Sequence, residues 1–187
     1  MTSPLAPGSA AGVREPRSDV KIAIWGSGSI YDAAVRACAR HAIDVVDDPG
    51  DADVLLLANY TKMVKKADRA LPRVGALCFH PSVLPRHRGR DSVYWTVKMG
   101  DPTCGVSWFW IDAGIDTGDI AGTVEVARPD VRPRELYDET LVPLGEMLLD
   151  ALLGQFTRGV FSRYVQDERF ATYEPPRERA AEPAVKP

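Results

Sequence analysis

The sequence predicts an α/β domain built on a mainly parallel β-sheet with flanking helices. Short apolar runs, such as residues 20–25 and 53–58, are typical of strands that are covered on both faces. Between them, residues 30–40 carry apolar side chains at helical spacing, which indicates a helix with one face turned toward a core. Because strands and helices alternate along this part of the chain, we expect a parallel arrangement of the strands.

The first half of the chain follows this alternation closely. Gly26 and Gly28 interrupt the first apolar run and mark a tight turn before the first helix. The predicted elements are a strand at 20–25, a helix at 30–40, strands at 43–46 and 53–58, a helix at 61–71 that ends before Pro72, and a strand at 75–79 that ends at His80.

The second half adds two strands and a long helix. Val106, Trp108 and Trp110 alternate along residues 104–111, which is the two-residue period of a β-strand with one side in the core. Pro143 interrupts an otherwise helical pattern, and we expect it to kink that helix. The predicted elements are a loop at 81–89, a helix at 92–99, a strand at 104–111, a polar loop at 112–119, a strand at 120–126 and a helix at 133–156.

The composition is that of a globular protein. Of 187 residues, 45% are hydrophobic and 26% are charged, and the net charge of −3 gives no electrostatic basis for binding nucleic acid. No apolar run approaches the roughly 20 residues of a membrane helix. The N-terminus lacks the pattern of a secretory signal, and the three cysteines form neither a CxxC pair nor a disulfide framework. We therefore expect a cytoplasmic protein without membrane or nucleic-acid partners.

The chain is expected to form one folded domain between two tails. Residues 1–19 are rich in Pro, Ala, Gly and Ser and have no periodicity, so they predict a disordered N-terminal arm. Residues 175–187 are similar in composition and predict a flexible C-terminal tail. Residues 20–174 form the predicted domain.

Polar residues follow two of the predicted strands. His80 comes directly after the strand at 75–79, and the loop at 112–119 contains Asp116. Because ligands of open α/β sheets gather at the carboxyl ends of strands, we expect these two side chains to be neighbours. A histidine beside a carboxylate is a general acid/base pair, since the carboxylate orients the ring and favours its charged form. A structural histidine and a solvated turn are the alternative interpretation.

Two longer motifs are more specific. Residues 80–89 are HPSVLPRHRG and residues 112–119 are DAGIDTGD. These motifs resemble the folate-dependent formyltransferase family, which includes glycinamide ribonucleotide, methionyl-tRNA and sugar N-formyltransferases, and most closely the hydrolase domain of 10-formyltetrahydrofolate dehydrogenase. The resemblance covers residues 53–176 well. It implies a Rossmann-like formyltransferase fold whose N-terminal half is shortened here, with one β/α unit or more missing between Val46 and Asp53.

The resemblance implies catalytic roles for His80 and Asp116. In the family, an amine attacks the formyl carbon of 10-formyltetrahydrofolate, a protonated histidine donates to the developing oxyanion, and an aspartate keeps that histidine charged. The family's asparagine, two residues before the histidine, is replaced by Cys78, whose thiol is a weak hydrogen-bond donor. The hydrolase domain also departs from asparagine there, so the change need not abolish chemistry. A nucleophilic Cys78 is the less favoured alternative because burial makes a thiol inert.

The resemblance also implies a folate pocket with two walls. The candidate folate-binding residues are Lys62, Met63 and Val64 on one wall and Asp112, Gly114 and Ile115 on the other. For Met63 and Val64, the alternative interpretation is that they are plain core residues.

Four further residues are candidates for binding the acceptor or the folate tail. Arg86 and Arg88 are candidates for the glutamate tail or the acceptor, and solvated loop charges are the alternative. Gly26 and Gly28 expose backbone amides before a helix, which suits an acceptor phosphate, although a plain tight turn explains the same residues.

The leading hypothesis is an N-formyltransferase that moves a formyl group from 10-formyltetrahydrofolate to a small-molecule amine. In it, His80 is the acid and oxyanion stabiliser, and Asp116 is its partner and proton acceptor. The alternatives are a 10-formyltetrahydrofolate hydrolase that releases formate, and a catalytically silent folate- or partner-binding module. We predict no metal site and no tRNA substrate, and a homodimer is compatible with the sequence.

Overall fold

The computed structural model describes residues 19–177 of the chain. Its strands are β1 (Lys21–Gly26), β2 (Asp44–Val45), β3 (Val54–Ala58), β4 (Gly75–His80), β5 (Thr103–Trp110) and β6 (Ile120–Ala127). Its helices are α1 (Ser29–Arg40), α2 (Lys66–Arg69), α3 (Ser92–Lys98), α4 (Pro133–Glu135) and α5 (Val142–Phe156), with a π-helical segment at Leu136–Leu141 and 3₁₀ turns at Pro49–Asp51 and Glu168–Phe170. Apart from residues 19 and 175–177, the predicted N-terminal arm and C-terminal tail lie outside the described residues.

The strands form one mixed sheet in the order β2-β1-β3-β4-β5-β6. β1 pairs in parallel with β2 and β3, and β3 pairs in parallel with β4. β5 runs antiparallel to both β4 and β6. The predicted α/β fold is confirmed: three of the five strand pairings are parallel, and the antiparallel pairs occupy one edge.

The main core lies between one face of the sheet and helices α1 and α5. Val106, Trp108 and Trp110 all point into it and are buried, which confirms the alternation seen in the sequence. The indole N–H of Trp108 donates to the carbonyl of Gly145 at 2.9 Å, and that of Trp110 donates to the carbonyl of Ser162 at 2.8 Å. Both rings are therefore buried without leaving a donor unpaired.

The opposite face of the sheet is only partly covered. The connection from β2 to β3, residues 46–53, is fully described and contains the 3₁₀ turn Pro49–Asp51 but no α-helix. A parallel crossover normally carries a helix that covers the sheet, so the short connection leaves this face open. On this face the strand residues Ala23, Leu55, Leu57 and Ala76 form a small buried cluster with Ala52. The side chains outside the strands that pack against it are Val46, Tyr60, Val64 and Ile111.

The predicted helix at residues 61–71 is wrong except for the single turn of α2. Lys62, Lys65 and Lys66 place like charges at neighbouring helical positions, which disfavours a helix. No residue of α2 is buried, so packing adds nothing to an isolated turn that is marginal by itself. Residues 61–65 lie outside any helix and are free to border the open sheet face.

The long helix predicted at residues 133–156 forms in three pieces. α4 leads into the π-helical segment Leu136–Leu141, and α5 begins immediately after it with Pro143 in its first turn. Proline has no backbone N–H to give to the preceding turn. The wider π turn lies where that bond is missing, which accounts for the interruption expected at Pro143.

Leu149 and Met147 offer a matched test of this core, because both lie on α5 but only Leu149 is fully buried. We expect Leu149→Ala to lower the free energy of unfolding by about 2–5 kcal/mol, since it leaves a cavity under the sheet. Met147 is 53% exposed, and Met147→Ala should change stability little. Urea denaturation measures both, and equal losses would contradict the described packing.

Candidate active site

Strand β4 presents Cys78 and His80 on the open face of the sheet. Successive side chains of a strand point to opposite faces. Leu77 and Phe79 accordingly belong to the main core, whereas Cys78 packs on the small cluster of the opposite face. His80 shares that face with Cys78 and lies edge-on to Phe109, with ring centroids 6.4 Å apart.

Asp116 reaches His80 by a different route from the one expected. Since β5 is antiparallel to β4, the end of β5 lies beside Leu77, while His80 pairs with Ser107 near the middle of β5. The loop at 112–119 therefore does not begin beside His80. It folds back over the open face and brings Asp116 Oδ2 to 3.5 Å from His80 Nδ1. The two residues meet as predicted, although not at a shared carboxyl edge.

The two nitrogens of the His80 ring have different partners. Nε2 lies 2.8 Å from the backbone carbonyl of His87, and because a carbonyl only accepts, Nε2 is the donor in this bond. Nδ1 faces the carboxylate of Asp116, which also accepts the backbone N–H of Gly89 at 2.6 Å. His80 is only 6% exposed. Nδ1 is thus the ring atom at which a proton can be shared with Asp116 or passed to a ligand.

A cleft of about 240 Å³ lies on the open face next to this pair. It is smaller than the roughly 300–1,000 Å³ typical of sites that hold an entire drug-sized ligand, so it matches a ring system better than a whole folate. Its walls contain Cys78, Asp116 and all six residues predicted to bind folate. The lining residues are Leu57, Tyr60, Lys62, Met63, Val64, Arg69, Cys78, Phe109, Ile111, Asp112, Ala113, Gly114, Ile115 and Asp116.

Met63 is 78% exposed at the mouth of this cleft. The alternative interpretation of Met63 as a core residue is therefore wrong. Val64 is partly buried against the small apolar cluster, so it has one side in the protein and one side on the cleft.

The opposite wall of the cleft is shaped by its own sequence. The carboxylate of Asp112 accepts the N–H of Gly114 at 2.9 Å and the hydroxyl of Thr117 at 2.8 Å, which closes the turn. Gly118 approaches the backbone of Trp110 so closely that a Cβ would lie 1.7 Å from the Trp110 carbonyl oxygen. Only glycine fits there, and the loop is held in the shape that carries Asp116 over the sheet.

Cys78 has the environment of a protonated thiol. Burial raises its pKa far above the ordinary range, and the neighbouring negative charge of Asp116 raises that pKa further. Its Sγ lies 3.5 Å from the carbonyl of Phe79. A neutral thiol is a poor nucleophile, so this environment argues against a covalent role.

Arg86 and Arg88 do not face the cleft. Arg86 pairs with Asp101 at 2.7 Å. Arg88 is 6% exposed and is bound by Gln166 and Glu168, whose carboxylate raises the pKa of the guanidinium. The roles predicted for both arginines in substrate binding remain predictions.

Gly26 and Gly28 lie in the turn between β1 and α1, also outside the residues that line the cleft. A Cβ on Gly26 would lie 1.8 Å from the Ala58 carbonyl oxygen, so close backbone packing by itself explains a glycine there. Asn59 supports this turn through a 3.3 Å bond from its side-chain amide to the Ser27 carbonyl. The proposed phosphate site remains a prediction.

Sequence reasoning missed several residues of the site. Leu57, Phe109 and Ile111 line the cleft, and strand alternation could have identified them because they lie opposite the core-facing residues. Gln166 binds the carbonyl of Asp116 from 50 positions away, and no local spacing pattern signals such a contact.

The family model for formyl transferase matches residues 20–152, and the chain therefore belongs to the formyl transferase family. Among curated relatives, human cytosolic 10-formyltetrahydrofolate dehydrogenase is 40% identical over 104 residues. That match covers 55% of this chain but only 12% of the human protein. Methionyl-tRNA formyltransferase of Ruminiclostridium cellulolyticum is 32% identical over 124 residues, which is 66% of this chain and 39% of that protein.

A solved structure of the formyltransferase PseJ from Anoxybacillus kamchatkensis, in complex with UDP-4,6-dideoxy-4-formamido-L-AltNAc and tetrahydrofolate, has a TM-score of 0.69. It is 21% identical to this chain, and the match covers 82% of this chain and 85% of PseJ. At this identity the likeness concerns the fold, and it supports the α/β architecture described above. In the described part of the chain, the helices are too short or too polar to cross a bilayer.

The thiols provide a test of the described environments. Burial raises the pKa of Cys38 to about 11, and it also raises the pKa of Cys78 and of Cys104. All three thiols should therefore be protonated at pH 8 and react slowly with a disulfide reagent such as DTNB in the native protein. Fast reaction of all three is expected after unfolding in guanidinium. One fast thiol in the native protein would contradict the assignment.

Proposed function

We propose that this chain is an N-formyltransferase that moves a formyl group from 10-formyltetrahydrofolate to a small-molecule amine. One observation carries the proposal. Asp116 lines a ring-sized cleft and simultaneously faces the buried ring of His80 at 3.5 Å, so a proton-transferring pair adjoins a binding site. Membership of the formyl transferase family supports the same class of reaction.

The cleft suits the pteridine ring of a folate. Leu57, Phe109 and Ile111 give it an apolar side, and residues 62–64 and 112–115 line its two walls. Lys62 and Arg69 line it and have no ion-pair partner among the described residues. They are better candidates for the glutamate carboxylates than Arg86 and Arg88, which are already paired within the protein.

The chain's own residues account for the proton movements of the transfer. When bound, 10-formyltetrahydrofolate supplies the formyl group on its N10 atom. We propose that Nδ1–H of His80 donates to the formyl oxygen as it gains negative charge during attack by the amine. Asp116 stabilises the charged ring during that step and accepts the proton lost by the amine. As the carbonyl of the new formamide re-forms, the C–N10 bond breaks, and the proton held by Asp116 passes to N10, so that tetrahydrofolate leaves neutral. The bond to the His87 carbonyl fixes Nε2, which leaves Nδ1 as the working atom.

A hydrolase that releases formate is the second candidate. Cys78 stands where the family has asparagine, and the chain is 40% identical over 104 residues to a protein named 10-formyltetrahydrofolate dehydrogenase. A thiol cannot supply the two strong donors of an amide, and the resemblance gives the hydrolase domain of that relative the same departure from asparagine. Water as the acceptor distinguishes this candidate from the transferase.

One prediction concerns His80. His80→Ala should lower the rate of formyl transfer or release by about 10²–10⁴-fold, because it removes the acid that the reaction needs. His41→Ala is a matched control. His41 also lies beside an aspartate, Asp150 at 3.4 Å, but it caps the C-terminal end of α1 and is not among the residues that line the cleft. Formate and tetrahydrofolate are measured after incubation with 10-formyltetrahydrofolate.

The same assay without an amine separates the candidates. No release without amine, together with turnover when an amine from a screen is added, supports the transferase. Rapid His80-dependent release without amine establishes the hydrolase instead. Folate binding with no turnover under either condition identifies a silent binding module, and a fully active His80→Ala contradicts the site.

Another prediction concerns Cys78. Cys78→Asn introduces a side-chain amide on the same strand face as His80, where it can donate to the oxyanion. We expect it to accelerate formyl transfer to an amine by up to roughly 10²-fold, since a single oxyanion donor is worth about 10²–10³ in rate elsewhere. Cys78→Ala is the control and should give no gain. A slower Cys78→Asn enzyme with intact folding would show that the thiol itself is required.

A further inference from the structure

A segment near the C-terminal end of the described chain crosses both loops that hold the His80–Asp116 pair. We call residues 164–174 the C-terminal strap. On one side, Thr172 clamps the loop after β4: its hydroxyl accepts the N–H of His87 at 2.8 Å, its carbonyl accepts that of Arg88 at 3.0 Å, and its own N–H donates to the Pro85 carbonyl at 3.1 Å. This loop supplies the carbonyl that fixes the histidine ring.

On its other side, the strap clamps the loop that carries Asp116. The side-chain amide of Gln166 donates to the carbonyl of Asp116 at 2.9 Å and to that of Gly118 at 2.7 Å. Its oxygen accepts two bonds from Arg88, from Nε at 3.1 Å and from Nη2 at 2.8 Å. Gln166 is 6% exposed, and both hydrogens and the oxygen of its amide are used.

The position of Asp116 needs such support. Its φ angle is 54°, in the left-handed region that a residue with a side chain rarely adopts. Left-handed backbone at a residue other than glycine persists only when its surroundings hold it in place. Gln166 bonds the carbonyl of Asp116 itself, whereas the carboxylate end is free to reach His80 and the N–H of Gly89.

Arg88 joins the two clamped loops. It belongs to the motif at residues 80–89, yet its guanidinium points into the protein, where Gln166 accepts from it and Glu168 pairs with it at 2.7 Å. The strap, the loop after β4 and the loop at 112–119 are therefore connected through one buried side-chain amide.

We propose that Gln166, oriented by Arg88, is a positioning residue that holds the backbone of Asp116 so that its carboxylate meets His80 Nδ1. The importance of that position for turnover rests on the proposed function of the pair. The positioning itself is testable without any activity, through the bond from the Gly89 N–H to the Asp116 carboxylate.

Gln166→Glu is the informative variant, because it keeps the size of the side chain and an acceptor for Arg88 but removes both donors. The introduced carboxylate faces the carbonyls of Asp116 and Gly118, which only accept. We expect hydrogen exchange of the Gly89 amide to accelerate by at least about tenfold, while amides of the central strand β3 keep their protection. Asp116→Ala removes the acceptor of the Gly89 N–H, so its exchange rate shows how fast this amide exchanges without the bond.

Two further variants control the experiment. Glu168→Gln alters the other partner of Arg88, leaves the amide of Gln166 in place, and should leave exchange at Gly89 unchanged. Gln166→Met also lacks the donors but adds no charge, so it replaces Gln166→Glu if the latter fails to fold. Unchanged protection of Gly89 in the Gln166 variants would overturn the proposal.

Kinetics give a second test in the active enzyme. Gln166→Glu should lower kcat by about 5- to 100-fold, the effect of leaving buried polar groups unpaired, with a smaller change in KM for 10-formyltetrahydrofolate. In an Asp116→Asn background, Gln166→Glu should lower kcat hardly any further, since Gln166 acts through Asp116. Full loss in both backgrounds would overturn the positioning role. A wild-type protein without turnover would refute the proposed function, and the exchange data would still decide the role of Gln166.

Discussion

The contact between Asp116 and His80 depends on a chain reversal that the sheet imposes. Because β5 is antiparallel to β4, the loop that follows β5 starts beside Leu77, away from the histidine. It must return across the open face of the sheet to place its carboxylate 3.5 Å from the His80 ring. The close approach of Gly118 to Trp110 and the left-handed backbone of Asp116 are the local adjustments that this path requires.

The cleft exists because that return path crosses an uncovered part of the sheet. The short connection between β2 and β3 contains a 3₁₀ turn but no α-helix, and the segment at 61–65 forms no helix either. The returning loop and this segment become the two walls of the cleft, and Leu57, Cys78 and Phe109 lie between them. The lack of an α-helix between β2 and β3 therefore leaves space for the cleft on the same face as His80.

Patterns over a few neighbouring residues predicted those strands and helices whose formation depends mainly on neighbouring residues. The alternation of Val106, Trp108 and Trp110 reports a strand directly, because a half-buried strand repeats every two residues. The helix expected at 61–71 failed because repelling lysines and the absence of a buried face outweigh a weak helical pattern. The direction of β5 and the contact of Gln166 with Asp116 join parts of the chain that are distant in sequence, and neither leaves a local signal. The residues of both walls of the cleft came from the family resemblance, not from periodicity.

In the proposed function the cleft holds a folate with its one-carbon unit facing His80. A crystal structure with 5-formyltetrahydrofolate, a stable analogue of the donor, tests it most directly. We expect a pteridine ring between Val64 and the loop at 112–116. The region of the folate that bears the one-carbon unit should lie next to His80 Nδ1, and the Nε2 bond to His87 should be unchanged. A ring bound elsewhere, or one bound in the cleft with its one-carbon end pointing away from His80, would contradict it.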